Sequence, residues 1–96
     1  MYWQVYKEMM QSKDITVFQL RAARAGLGLS MSELHRKTGV SRITLSKIER
    51  QTPNLPPSCS LTTVFHLRQF FESCGVSFET PNKISFDVDK GIPDVF

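Results

Sequence analysis

The stretch Ser41-Arg42-Ile43-Thr44 is where side-chain types and spacing suggest specific chemistry in this chain. Serine is a helix-capping type, so the residues after Ser41 should open a helix with unpaired N–H groups at the positive end of its dipole. Such an end, with the serine hydroxyl beside it, can hold a phosphate. Arg42 can form a bidentate pair with guanine, and an aliphatic side chain such as Ile43 can contact a thymine methyl. An isoleucine between arginine and threonine on the outer side of a capped helix is odd for a plain solvated surface. It makes sense in a DNA groove.

No other chemistry competes. The chain has no G-x-S-x-G, no phosphate-cradling glycine loop and no H-E-x-x-H, and it is not expected to be an enzyme. Cys59 and Cys74 form no C-x-x-C pair and read as free thiols. His35 and His66 are isolated from each other and from any acidic cluster, so no metal site is expected. Asp87, Asp89 and Asp94 lack the glycine and final glutamate of a calcium loop and read as solvated acids. No cofactor is implied.

The elements that must position Arg42 and Ile43 are legible in Ser30 to Arg50, S-M-S-E-L-H-R-K-T-G-V-S-R-I-T-L-S-K-I-E-R. Ser30 and Glu33 form a capping-box signature that opens a helix from Met31 to about Thr38, with Leu34 facing inward. Gly39 closes it where a left-handed residue is wanted, and Val40 is the apolar plug of the turn. On the next helix Leu45 and Ile48 face inward, while Arg42, Ile43, Ser46, Lys47 and Arg50 fall on the other sides. Upstream, Thr16 and Gln19 repeat the capping box before a helix that runs to about Leu27, ended by Gly26 and Gly28.

Charge follows the same segment. Between Thr16 and Arg50 seven basic residues face two acidic ones, a net of +5, against −2 for the remainder and +3 overall. A basic segment followed by an acidic tail is the asymmetry of a small DNA binder.

The flanks read as follows. Tyr2, Val5, Tyr6, Met9 and Met10 recur at helical intervals, predicting a short amphipathic helix that either folds back on the core or serves as a dimerisation arm. Thr52 to Ser58 is a Pro-rich loop. Ser60 caps a helix whose inward face uses Leu61, Val64, Phe65, Leu67, Phe70 and Phe71, with an Arg68–Glu72 pair outside and Gly75 at its end. Val76 to Glu79 and Lys83 to Val88 alternate around T-P-N, predicting a β-hairpin that packs on the domain or extends a sheet in a partner subunit. The expected organisation is an N-terminal helical extension over 1–15, a helical domain over 16–75, and a hairpin and tail over 76–96. With no apolar run of about eighteen residues and no secretory pattern at the N-terminus, a cytoplasmic protein without membrane contact is expected.

Thr16 to about Ser77 resembles the Xre/Cro family of lambda-repressor-like helix-turn-helix regulators. The features that carry the likeness are the L-R-A-A-R start, the S-x-x-E-L cap, the T-G-V-S turn, the I-E after the recognition helix, and a later helix ending in C-G-V. The resemblance implies a mainly α fold, a lambda-repressor-like helix-turn-helix bundle, here with an N-terminal helix and a small C-terminal β-hairpin. It places the recognition helix, Ser41 to Arg50, in the major groove. Base readout would fall on Arg42, Ile43 and Lys47, with Thr44 and Ser46 in support. Phosphate contacts would fall on Ser41, Arg50, Lys37 and the start of the preceding helix at Met31 and Ser32. Arg24 and Glu49 match a structural pair of the family.

Three positions depart from the family pattern. Met31 stands where relatives often carry a phosphate-binding glutamine. His35 replaces a small residue, so the two helices either cross more loosely or the imidazole points outward, toward the DNA backbone. Gln51 sits where a glycine often stops the helix, with Pro53 enforcing the stop.

The expected function is sequence-specific binding of double-stranded DNA by a dimeric repressor or autorepressor of phage or bacterial kind, acting on an inverted repeat. The rival reading is a helix-turn-helix protein-interaction module, such as an antitoxin whose main ligand is a protein.

Overall fold

In the computed structural model, hydroxyl caps set the helix starts. The structure describes residues 15–80, 83–87 and 91–92; the expected N-terminal helix lies outside them. Thr16, Ser30, Ser41 and Ser60 each have extended backbone, and each accepts the N–H three residues on, from Gln19, Glu33, Thr44 and Thr63. The helices that follow are α1 (Val17–Gly26), α2 (Met31–Thr38), α3 (Arg42–Glu49) and α4 (Leu61–Ser73). Both expected capping boxes are closed from each side, by Gln19 onto Thr16 and by Glu33 onto Ser30. Satisfying these end donors lets such short helices hold together.

Packing supplies the rest. Leu20 and Ala23 of α1, Leu34 of α2, Leu45 and Ile48 of α3, and Leu67, Phe70 and Phe71 of α4 converge on one buried cluster with Leu29, Cys74 and Val76. In α4 the expected inward stripe is graded: Val64, Leu67, Phe70 and Phe71 are buried, whereas Leu61 and Phe65 are half-buried. The helix is reversed by Cys74 and Gly75, the latter at φ 90°.

Strands β1 (Val76–Thr80) and β2 (Lys83–Phe86) pair antiparallel, Val76 opposite Phe86 and Ser77 opposite Ser85, with a register shift before Thr80 and Lys83. The hairpin packs on its own domain. Val76 is buried, Phe78 and Ile84 lie against the core, and the Phe78 ring meets Phe71 edge-on at 6.3 Å. Asp87 N–H donates to Gly75 C=O at 2.7 Å, closing the open end of the hairpin.

Gln19 ties this hairpin to the first helix. Its side chain is 1% exposed; Oε1 accepts Thr16 N–H at 2.9 Å and Nε2 donates to Lys83 C=O at 2.6 Å. Gly26 remains helical where a stop was expected, and its lack of a side chain serves packing instead. A Cβ there would lie 2.8 Å from Phe86 Cε1 and closer still to Cζ. The stop falls at Leu27 and Gly28, with Gly28 at φ 70°.

Candidate nucleic-acid interface

The turn between α2 and α3 is built from side-chain bonds as well as a glycine. Gly39, at φ 78°, donates its N–H to His35 C=O at 2.7 Å. Thr38 Oγ1 donates to Leu34 C=O at 2.7 Å and accepts Val40 N–H at 3.2 Å. His35 is exposed, and its Nδ1 lies 2.8 Å from Val40 C=O. A carbonyl can only accept, so this bond requires the proton on Nδ1. Of the two expectations for His35 the outward one holds, and the imidazole closes the turn.

Leu45 and Ile48 anchor α3, each 2% exposed. Their burial turns the opposite side of the helix outward as two rows at i, i+4 spacing: Arg42, Ser46 and Arg50, and beside them Ile43 and Lys47. Arg42, Ile43, Lys47 and Arg50 are exposed, while Thr44 and Ser46 are half-buried. Thr44 is partly committed to the cap, since its N–H and its Oγ1 both engage the Ser41 hydroxyl, at 3.1 and 2.9 Å. Arg50 Nε donates to Ser46 C=O at 3.3 Å, using one of the five N–H donors of its guanidinium.

The structure brings Met31, Arg42, Ile43, Ser46 and Arg50 together around one concavity between the start of α2 and the face of α3. Met31 is half-buried with its side chain against the core. A thioether donates no hydrogen bond, so any donor to phosphate at Met31 is its backbone N–H. Ser32 and Ser41 are exposed. Lys37 lies outside this group: it is half-buried, and its charge bears on the Cys74 thiol.

The far end of α3 is gripped from α1. Arg24 Nε and Nη2 donate to the two carboxylate oxygens of Glu49 at 2.5 and 2.9 Å, and Nη1 donates to Leu29 C=O at 2.7 Å. The bonds to Glu49 raise the Arg24 pKa above its ordinary value despite the opposing effect of burial. The expected structural pair is present, and the Arg24 guanidinium is engaged within the fold. Arg21 adds a contact that sequence reasoning missed, donating from Nη2 to Glu49 C=O in the last turn of α3. Its only advance signal is its place one turn before Arg24 on the same helix.

Beyond the recognition helix, Gln51 stands in for a stopping glycine. Its Oε1 accepts Ser58 N–H at 2.6 Å and its Nε2 donates to Ser58 C=O at 3.3 Å, tying off the loop. Within the loop, Pro53 and Leu55 turn their carbonyls to Phe18 N–H and Val17 N–H, at 2.8 and 3.0 Å. These bonds satisfy donors at the start of α1. Elsewhere, burial pushes the Cys59 and Cys74 thiols up, which favours the protonated form. Among the described residues no group of three His, Cys, Asp or Glu side chains is placed to hold a metal, and no helix is long and apolar enough to cross a membrane.

Two capped helices around a left-handed glycine, with the second anchored by two core residues and outwardly basic, define a helix-turn-helix of the DNA-binding class. Residues 20–58 match the helix-turn-helix family model. Over those residues the chain is similar to the helix-turn-helix domains of Xre/lambda-repressor-like DNA-binding regulators. No curated protein and no solved structure matches the chain.

Proposed function

We propose that the chain is a sequence-specific repressor or autorepressor that binds an inverted repeat in double-stranded DNA as a homodimer, in the cytoplasm. The observation that carries this reading is the outer face of α3, where Arg42, Ile43, Lys47 and Arg50 stand exposed on a helix held at both ends. In this reading Arg42, Ile43 and Lys47 read base edges, and Ser46 and Thr44 support them. Ser41, Ser32, Arg50, Lys37 and the Met31 backbone face phosphates. Arg24 and Glu49 hold the helix without touching DNA.

The dimer follows from reach. One recognition helix covers only a few base pairs, and two on the same face of a duplex, about 34 Å apart, combine their binding energies. Selection of bound sequences from random duplexes, followed by electrophoretic titration at two salt concentrations, tests the reading. A selected inverted repeat, bound below micromolar at low salt and steeply weakened by added salt, is the expected result. No duplex bound below micromolar at low salt, with activity surviving replacement of Arg42 and Lys47, would instead favour a protein-interaction module.

A further inference from the structure

We propose that Arg21 is a positioning residue for base reading: by holding the Glu49 carbonyl at the end of α3, it sets the tilt at which Arg42, Ile43 and Lys47 meet the groove. The proposal rests on the DNA-binding reading above and concerns how that surface is aimed. Arg21 takes no part in the concavity lined by Met31, Arg42, Ile43, Ser46 and Arg50, so its influence on DNA passes through α3.

The need for such a residue comes from how α3 ends. Helix α2 is closed by its own backbone, with Gly39 in the left-handed conformation and its N–H bonded to His35 C=O. α3 ends otherwise. Arg50 at its cap is right-handed, at φ −92°, and the backbone N–H groups of Arg50 and Gln51 both turn to Ile48 C=O. Glu49 C=O is taken by a side chain instead: Arg21 Nη2 reaches it from α1. The last carbonyls form the negative end of the helix dipole, so a guanidinium there is favoured by its charge as well as by the hydrogen bond. One turn further along α1, Arg24 holds the Glu49 carboxylate. That grip acts through the rotatable bonds of the Glu49 side chain, whereas Arg21 acts on the backbone and so on the helix axis. An eight-residue helix is about 12 Å long, and a tilt at Glu49 is passed along it to Lys47 and Arg42. Base contacts that depend on two aligned hydrogen bonds tolerate little such error.

The test uses the full chain, its selected duplex and a scrambled duplex of the same composition. Arg21→Met keeps the aliphatic stem and removes the donor. Its affinity for the selected duplex should fall about tenfold, the order of one charge-assisted hydrogen bond, while its affinity for the scrambled duplex and the slope of log affinity against log salt stay as in the wild type. Arg21→Lys, which keeps a cationic donor, should regain most of the loss. In the free protein the backbone carbonyl NMR resonance of Glu49 should move in Arg21→Met and return toward its wild-type position in Arg21→Lys. Thermal melts show that each variant is folded at the titration temperature, and Arg21→Gln gives the same comparison if Arg21→Met is not. An unchanged ratio of selected to scrambled affinity means that Arg21 serves stability alone, and overturns the proposal. Equal weakening on both duplexes with a salt slope lower by about one places Arg21 on a phosphate, and overturns it too. Both outcomes leave the DNA-binding reading standing; failure of the wild type to bind any duplex overturns that reading and the proposal with it.

Discussion

The Arg24 guanidinium grips both carboxylate oxygens of Glu49, at 2.5 and 2.9 Å, and so joins the first helix to the last turn of the recognition helix. Both side chains are mostly shielded, at 22% and 13% exposure, so water does little to replace the lost partner. Arg24→Ala or Glu49→Ala should cost about 1–3 kcal/mol, seen as a lower Tm in thermal denaturation. Arg24→Lys should recover only part of this, because a lysine cannot reproduce the two-pronged contact and the bond to Leu29 C=O together. A double-mutant cycle in which the two losses simply add would show that the pair is not coupled.

Arg42 and Arg50 should separate in their effects on DNA binding. Arg42→Ala is expected to cost about 1–3 kcal/mol on the selected site and relax the preference at one base position. Arg50→Ala should weaken binding to all duplexes alike and lower the slope of log affinity against log salt by about one. Titrations of both variants on specific and scrambled duplexes at several salt concentrations check this, and identical behaviour would refute the division of roles.

Glu33 makes part of the stability of α2 acid-sensitive. The Ser30 backbone N–H, the Ser30 side chain and the nearby Arg36 charge hold its carboxyl below the ordinary 4.5. A folded pKa below the unfolded one means the contribution is complete above about pH 4.5 and is lost as pH falls through the lowered folded value. Glu33→Gln keeps the reach back to Ser30 but cannot titrate. The stability advantage of the wild type over this variant should therefore shrink across that acid range, and denaturant titrations at pH 7 and below pH 4 measure it.

Gly26 and Phe86 should prove strongly coupled. In an unobstructed helix alanine gains up to about 1 kcal/mol over glycine. Here the added methyl meets the Phe86 ring and must push it off the hairpin's packing position. Gly26→Ala should be stabilising in a Phe86→Ala background and neutral or destabilising without it. Equal effects in both backgrounds would mean the ring gives way freely.

Gln19 should be intolerant of an apolar replacement despite its buried position. Gln19→Leu removes the side-chain acceptor of Thr16 N–H and the donor to Lys83 C=O, and the loss of the bond at the buried Thr16 alone should cost about 1–3 kcal/mol. Faster amide exchange in the hairpin than in α3 would show that the tie to Lys83 is what was lost.

What the sequence determined is local. Hydroxyl caps at Thr16, Ser30, Ser41 and Ser60, the left-handed glycine at Gly39, and the inward pair Leu45 and Ile48 all act within a few residues of themselves. Hydrogen-bond reach and helical periodicity therefore suffice to read them. The exposure of Arg42, Ile43 and Lys47 follows from the same periodicity. Only the tertiary structure decided contacts between distant residues: Arg21 on the Glu49 carbonyl, Gln19 on Lys83, the Phe86 ring over Gly26, and the hairpin folded onto its own helices. Nothing in the spacing of these residues specifies such contacts, because they depend on how helices and hairpin dock once the apolar faces are buried. The pairing of Met31 with Ile43 around one cleft belongs to that second kind. It was set by the crossing of α2 and α3, and it turns an isolated exposed isoleucine into one wall of a shaped surface.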